Sequence, residues 1–218
     1  MPRLLSLLCL LSLLSVPLAG CVTDRQPARF DAFSHNKLAV VVRNVESARD
    51  AHTTATDQIV TSLRQIRIRA WTGASPQDAY DTVRRLLATS ESRYHTAEKR
   101  LKLVKSSANE YFGQWGRELE NYDDKTLREE SRRNLNDYKA RLRVVTDQME
   151  ETVEEMDNVI GAIQDQMLFI KHHRTDAALP PRPEPVVEPV TRAEVLVNKT
   201  SLVVLRADDF IARAQVAK

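Results

Sequence analysis

Apolar side chains recur every three or four residues along most of the chain, which is the spacing of one face of an α-helix. The first such segment runs from Asp31 or Ser34 to Trp71, where the sequence TGAS interrupts it. One polar residue, His52, falls on the apolar face. The apolar positions are Leu38, Val41, Val45, Ala48, Ala55, Ile59, Leu63 and Ile66. The pattern predicts one long amphipathic helix.

The second predicted helix has a clear start. Ser75 is a favoured N-cap residue, and Pro76 suits the first helical position. Apolar residues then recur every seven residues up to the break YDDKT, a repeat typical of a left-handed coiled coil. The two core positions are held by Tyr80, Leu87, Tyr94, Leu101, Ala108, Trp115 and Tyr122, and by Val83, Ser90, Ala97, Val104 and Tyr111.

The third predicted helix begins at a capping box formed by Thr126 and Glu129 and continues to about His173. It keeps the seven-residue repeat, with core positions at Leu135, Leu142, Met149, Met156, Ile163 and Ile170. A proline-rich segment, residues 174–190, then stops the helix and favours a semi-rigid connector. Residues 191–218 predict a shorter fourth helix, whose core positions are Leu196, Val203 and Phe210, with Ala207 and Ala214 between them.

Short breaks between successive helices require antiparallel neighbours. We therefore expect an all-α fold, an elongated antiparallel coiled-coil bundle of three long helices over residues 31–173, with the fourth covering about half of their length. A hairpin centred near Asp124 would place Trp115 near Arg132. The same register brings a basic run near an acidic run: Lys99, Arg100, Lys102 and Lys105, and Glu150, Glu151, Glu154 and Glu155.

The first twenty residues differ from the rest and predict a signal peptide. Arg3 precedes an apolar run, residues 4–16, which is too short to span a bilayer as a helix. Residues 18–21, Leu-Ala-Gly-Cys, resemble the bacterial lipobox, which implies cleavage after Gly20 and lipidation of Cys21. An ordinary signal peptide with an incidental cysteine is the alternative.

Lipidation would determine where the protein resides. Cys9 would leave with the signal peptide and Cys21 would carry lipid, so no free thiol would remain. A triacylated cysteine holds a protein on a membrane, here through a short tether over residues 21–30. Val22 follows the cysteine, and similarity to enterobacterial sorting then favours the outer over the inner membrane. We expect a lipid-anchored protein of the bacterial cell envelope that faces the periplasm.

Three stretches carry a resemblance to a known family: RNVESARDA at residues 43–51, FGQWGRELENY at 112–122 and QDQMLFIKHH at 164–173. They resemble a family of uncharacterised bacterial lipoproteins, the domain of unknown function 2959, over roughly residues 37–216. The resemblance implies an all-helical, lipid-anchored envelope protein and supplies no activity. The proline run at residues 180–189 departs from the family pattern.

Composition and motifs argue against several classes of function. The net charge of +2, from 32 basic and 30 acidic residues, gives no overall attraction to nucleic acid. The chain lacks the paired Glu-x-x-His motifs of di-iron bundles and the Gly-x-Ser-x-Gly turn of many hydrolases. We therefore expect no enzymatic activity, no catalytic residue, no metal and no cofactor.

Two groups of residues are candidate contact sites. The aromatic residues Phe112, Trp115 and Tyr122 could bind a partner or simply fill the core, and Gly113 and Gly116 beside them weaken the helix unless something packs closely there. The basic residues Arg64, Arg67 and Arg69 could touch anionic lipid, or could be the ordinary positive end of a helix.

The sequence favours a membrane-anchored structural or protein-interaction module. Its partner would be another envelope protein or a second copy, bound through the coiled-coil surface. The alternative is a helical bundle that binds a small ligand or a metal in a cavity lined by His52, Tyr94 or His95.

Overall fold

The computed structural model describes residues 27–70, 75–176, 178–179 and 187–216. Four α-helices account for most of this part of the chain: α1 is Pro27–Gln65, α2 is Pro76–Glu118, α3 is Lys125–His172 and α4 is Val187–Val216. A π-helical segment, Ile66–Ala70, extends α1, and a 3₁₀ turn, Leu119–Asn121, follows α2. The predicted signal peptide, its cleavage site at Gly20 and the lipidation site at Cys21 lie outside the described residues.

The four helices pack in a ring, α1–α2–α3–α4, and α1 also touches α3 across the diagonal. The helix α4 therefore lies in the groove between α1 and α3, on the side opposite to α2. The hydroxyls of Thr56 and Thr200 lie 2.7 Å apart, and further along the same contact Arg49 forms an ion pair with Asp208. The earlier residue of α1 contacts the later residue of α4 in these two pairs, so the two helices are antiparallel. The predicted all-α bundle is confirmed.

The core is filled by the residues that the heptad pattern indicated. Leu142, Met149, Met156 and Ile163 of α3 are buried, as are the predicted apolar positions of α4. Two hydrophobic clusters result, one towards the α2–α3 hairpin and one towards the opposite end. Between them lies a polar layer, which we define as His52, Thr56, Thr152 and Thr200, all of them buried.

The predicted register of the α2–α3 hairpin is confirmed near the turn. The indole Nε1 of Trp115 donates a hydrogen bond to Ser131 Oγ at 2.9 Å, beside the predicted neighbour Arg132. Further from the turn, Lys105 of the basic run forms an ion pair with Glu150 of the acidic run. The pairing of opposite charges along this seam favours one register over its neighbours.

The helix starts match the sequence prediction at α2 and differ at α3. Ser75 caps α2 as predicted, and its hydroxyl accepts a hydrogen bond from the Asp78 amide at 3.2 Å. The predicted capping box of Thr126 is wrong, because Asp124 caps α3 and accepts from the Thr126 amide at 2.7 Å. The helix begins at Lys125, so Thr126 already lies in the first turn, where its backbone N–H needs an acceptor.

The outer helices begin earlier than the sequence pattern predicted. The first starts at Pro27 instead of residue 31, and the last starts at Val187 instead of residue 191, inside the segment expected to be linker. A proline is tolerated in the first turn of a helix because the N–H there has no partner within the helix. Pro189 therefore lies inside α4, and the remaining prolines, at residues 180–185, lie outside the described residues.

Candidate functional site at the hairpin end of the bundle

A pocket of about 200 Å³ lies at the end of the bundle where the α2–α3 hairpin turns, and residues of α1, α2 and α3 contribute to it. We call it the aromatic pocket, and its lining residues are Lys37, Tyr111, Gln114, Trp115, Glu118, Tyr122 and Ser131. Two of the three aromatic residues that the sequence indicated as a partner site, Trp115 and Tyr122, lie in this pocket. The structure therefore brings that part of the predicted site together.

The aromatic rings at this end form a continuous chain across the bundle. Tyr111 lies 5.7 Å from Trp115 between ring centroids, Trp115 lies 5.8 Å from Tyr138, and Tyr138 meets Phe210 of α4 edge to face at 6.4 Å. All three separations fall in the range where aromatic pairs attract. The chain of rings holds Trp115 in place while part of its side chain stays accessible in the pocket.

Polar groups surround these rings. Gln114 donates to Glu118 at 2.7 Å, and Lys37 of α1 forms an ion pair with Glu110 at 2.7 Å just outside the pocket. Burial raises the pKa of Tyr111 to about 12, with smaller contributions from Tyr138 and Glu118. The Tyr111 hydroxyl thus keeps its proton at neutral pH and can act as a donor. An apolar floor with a polar rim suits the binding of a protein side chain.

The third aromatic candidate, Phe112, lies elsewhere. It is nearly buried and lines a second depression of about 500 Å³ between α2 and α3. We call this the basic groove, and it is lined by Lys105, Ala108, Asn109, Phe112, Gly113, Lys139, Leu142, Arg143 and Thr146. The sequence placed Phe112 beside Trp115, and the structure shows that α2 presents them to two different depressions.

Four residues of the aromatic pocket were not indicated by the sequence pattern, namely Lys37, Gln114, Glu118 and Ser131. Ser131 could have been found from the hairpin register, because it neighbours the predicted partner of Trp115. Lys37 could not, because its position depends on where the first turns of α1 meet α2.

The predicted arginine patch lies at the other end of the molecule. Arg64 and Arg67 are exposed near the end of α1, about 40 Å along the helix from Lys37. The side chain of Arg69 lies outside the described residues. Contact of these arginines with lipid stays a prediction, and it would involve the end of the bundle opposite to the hairpin.

The residues proposed for an internal ligand do not converge. His52 is fully buried in the polar layer, with both ring nitrogens beside backbone carbonyls, whereas His95 is exposed and lies 3.6 Å from Glu98. The rings of Tyr94 and His95 lie 4.9 Å apart between centroids and are tilted by 52° to each other. Among the side chains that the structure describes, no three histidine, cysteine or acidic groups lie closely enough together to hold a metal ion.

In the same part of the chain, no helix has a stretch that is both long and apolar enough to cross a bilayer. No curated protein and no solved structure matches the chain. One family model does match, and it covers residues 28–214, which is almost the whole of the described bundle. The chain therefore belongs to the family described as Protein of unknown function (DUF2959).

Proposed function

We propose that this protein is a non-enzymatic, lipid-anchored protein of the bacterial cell envelope that binds a partner protein through the aromatic pocket. The observation that carries the proposal is the position of the pocket relative to the proposed anchor. The helix α1 begins at Pro27, at the same end of the bundle as the aromatic pocket. The six-residue step from Cys21 to Pro27 reaches at most about 20 Å, so the pocket would lie close to the membrane surface.

The chemistry of the pocket supports a protein as its partner. Tryptophan and tyrosine are enriched at protein interfaces, where they bury a large area at little cost in side-chain entropy. Trp115 and Tyr122 are half-buried here, so each retains surface that a partner could cover. Glu118 and Gln114 supply acceptor and donor groups at the rim.

The anchor is tested by fractionation of cells that express the wild type or Cys21→Ala. The wild type should sediment with membranes, and its mature N-terminal peptide should carry acyl chains by mass spectrometry. The Cys21→Ala chain should lose both properties. Membrane retention of Cys21→Ala, or an unmodified N-terminus in the wild type, would refute the lipid anchor.

Partner binding is tested by photo-crosslinking in cells, with a photoreactive amino acid at Tyr122 and, as the matched control, at the exposed Gln77 near the opposite end of α2. A discrete adduct is expected from position 122 and not from position 77. The adduct should disappear when Trp115→Ala is combined with the probe at 122. Adducts of equal intensity at both positions would contradict a specific role for the aromatic pocket.

A further inference from the structure

We propose that the basic groove between α2 and α3 binds the phosphate headgroup of an anionic membrane lipid. The proposal rests on the proposed membrane location, and it concerns a different surface from the aromatic pocket. The groove, at about 500 Å³, has the size of a typical small-molecule site. None of the nine residues that line it is acidic, whereas three of them, Lys105, Lys139 and Arg143, are cationic.

The charge balance leaves a net positive field in the groove. Two of the three cations have acidic partners on α3: Lys105 pairs with Glu150, and Arg143 lies 3.4 Å from Asp147. Lys139 forms no ion pair with any residue in the described part of the chain, so its charge is available to an incoming anion. Arg143 keeps 81% of its side chain exposed, so its contact with Asp147 is weak, and a phosphate group can replace Asp147 as its partner.

A fourth cation lies beside the groove. The guanidinium of Arg117 is 3.7 Å from the point where a side chain on Gly113 would begin. Among the described residues Arg117 also has no ion-pair partner. Lys139 and Arg117 thus flank the half of the groove nearer the hairpin, while the acidic residues Glu150 and Asp147 lie towards its far end.

The groove also has an apolar floor, which favours a lipid over a simple inorganic anion. Ala108, Phe112 and Leu142 form that floor and are nearly or fully buried. Gly113 leaves room above it, because the nearest atom to its missing side chain is the flexible end of Arg117. A headgroup phosphate could meet the cations while the first methylenes of an acyl chain cover Phe112 and Leu142.

The groove extends from about 20 to about 30 Å along α3 from the hairpin turn. A bundle that stood upright on the hairpin would hold the groove above the lipid headgroups. Occupation by a membrane lipid therefore requires the bundle to lie with its α2–α3 face against the bilayer. The opposite face, formed by α1 and α4, would then be turned to the periplasm.

The test uses the full chain in non-ionic detergent micelles that contain diazirine-labelled phosphatidylglycerol or, as the neutral reference, diazirine-labelled phosphatidylcholine. Adducts are mapped by mass spectrometry after proteolysis. We expect phosphatidylglycerol to label the peptides that contain Phe112 and Leu142, and phosphatidylcholine to label them several-fold less. Labelling should be the same for wild type and Cys21→Ala, since the micelle supplies lipid without an anchor. The labelling therefore tests lipid binding by the groove independently of the proposed anchor at Cys21.

Charge variants identify the groove as the binding site. Each cation contributes roughly a five-fold change in affinity for an anionic surface, so Lys139→Gln with Arg143→Gln should reduce labelling more than five-fold. The matched control, Arg84→Gln with Arg85→Gln, removes the same charge from exposed positions far along α2 and should leave labelling unchanged. The conservative pair Lys139→Arg with Arg143→Lys should retain labelling, which shows that a loss reflects charge and not misfolding. Equal labelling by the two lipids, or undiminished labelling of the glutamine pair, would overturn the proposal.

Discussion

The Nε2 atom of His52 lies 3.2 Å from the backbone carbonyl oxygen of Met149, across the contact between α1 and α3. The other ring nitrogen, Nδ1, lies 2.8 Å from the carbonyl oxygen of Ala48, one turn earlier in α1. A neutral imidazole has one N–H and can donate to only one of these two oxygens. The other nitrogen then faces a carbonyl oxygen without donating to it, and the fully buried ring has backbone groups of the bundle beside both nitrogens.

This arrangement predicts a loss of stability in mild acid. Burial lowers the pKa of His52 from its ordinary value of 6.5, and the two carbonyls oppose that effect only in part. The unfolded chain then takes up a proton at a higher pH than the folded chain does. The stabilising contribution of the neutral ring is thus complete above about pH 6.5, and it is lost progressively as the pH falls from there towards the pKa of the folded state.

The measurement is the free energy of unfolding in urea at about pH 7.5 and about pH 5.5, on either side of the unfolded pKa. The wild type should lose stability between the two, and His52→Gln should lose less. His95→Gln removes an exposed histidine and should behave as the wild type does. If His52→Gln and the wild type show the same pH dependence, the buried ring is not its source.

The hydroxyl pair of Thr56 and Thr200 predicts a coupled effect on the docking of α4. The two oxygens are buried and 2.7 Å apart, so removal of one hydroxyl leaves the other without its partner. Thr56→Val or Thr200→Val alone should reduce the free energy of unfolding by about 1–3 kcal/mol. The double variant replaces both polar groups with methyls and should be less destabilised than the sum of the singles.

A double-mutant cycle by urea denaturation measures this coupling. The matched control is Ser201→Val, which alters a neighbouring hydroxyl on the exposed side of α4 and should have a small effect. Strict additivity of the two threonine variants would mean that the hydroxyls do not stabilise one another.

The sequence could predict the core because a seven-residue repeat dictates which side chains face inwards, whatever the partner helix. Leu101, Met156 and Val203 are buried for that reason. The sequence could not predict the aromatic pocket or the basic groove, because both depend on which groove of the bundle α4 occupies. With α4 seated between α1 and α3, the α2–α3 side stays open beside Phe112. The sequence pattern did not show the early starts of α1 and α4, because a proline in the first turn of a helix looks the same in the sequence as a proline in a linker.

Two glycines inside helices, Gly116 of α2 and Gly161 of α3, predict a gain in stability on substitution. Apart from the adjacent residues and backbone of its own helix, no described atom lies within 4 Å of where a side chain on Gly116 would begin, and the same holds for Gly161. The close helix approach that the sequence suggested near Gly116 is thus absent from the described bundle. Gly116→Ala and Gly161→Ala should each raise the free energy of unfolding by about 0.5–1 kcal/mol, because alanine loses less backbone entropy in a helix.

Thermal and urea denaturation check both variants, and each serves as the other's control. Gly161 lies far from the aromatic pocket and the basic groove, so its substitution should leave crosslinking and lipid labelling unchanged. If Gly116→Ala lowers the crosslinking or the lipid labelling despite its higher stability, a partner must lie close to that glycine. A loss of stability in either variant would contradict the open space seen above it.

Contact of the basic groove with lipid predicts that the bundle lies with its α2–α3 face on the membrane. Asn109 lines the basic groove, and Ala212 is exposed on α4, on the opposite side of the bundle and at a similar distance from the hairpin end. Under the proposed anchor an introduced cysteine is the only free thiol, so Asn109→Cys and Ala212→Cys can each carry one fluorophore. In vesicles containing phosphatidylglycerol and brominated lipid, the label at 109 should be quenched and the label at 212 should not. Equal, weak quenching at both positions is the result expected of an upright bundle, and it would refute contact of the α2–α3 face with lipid.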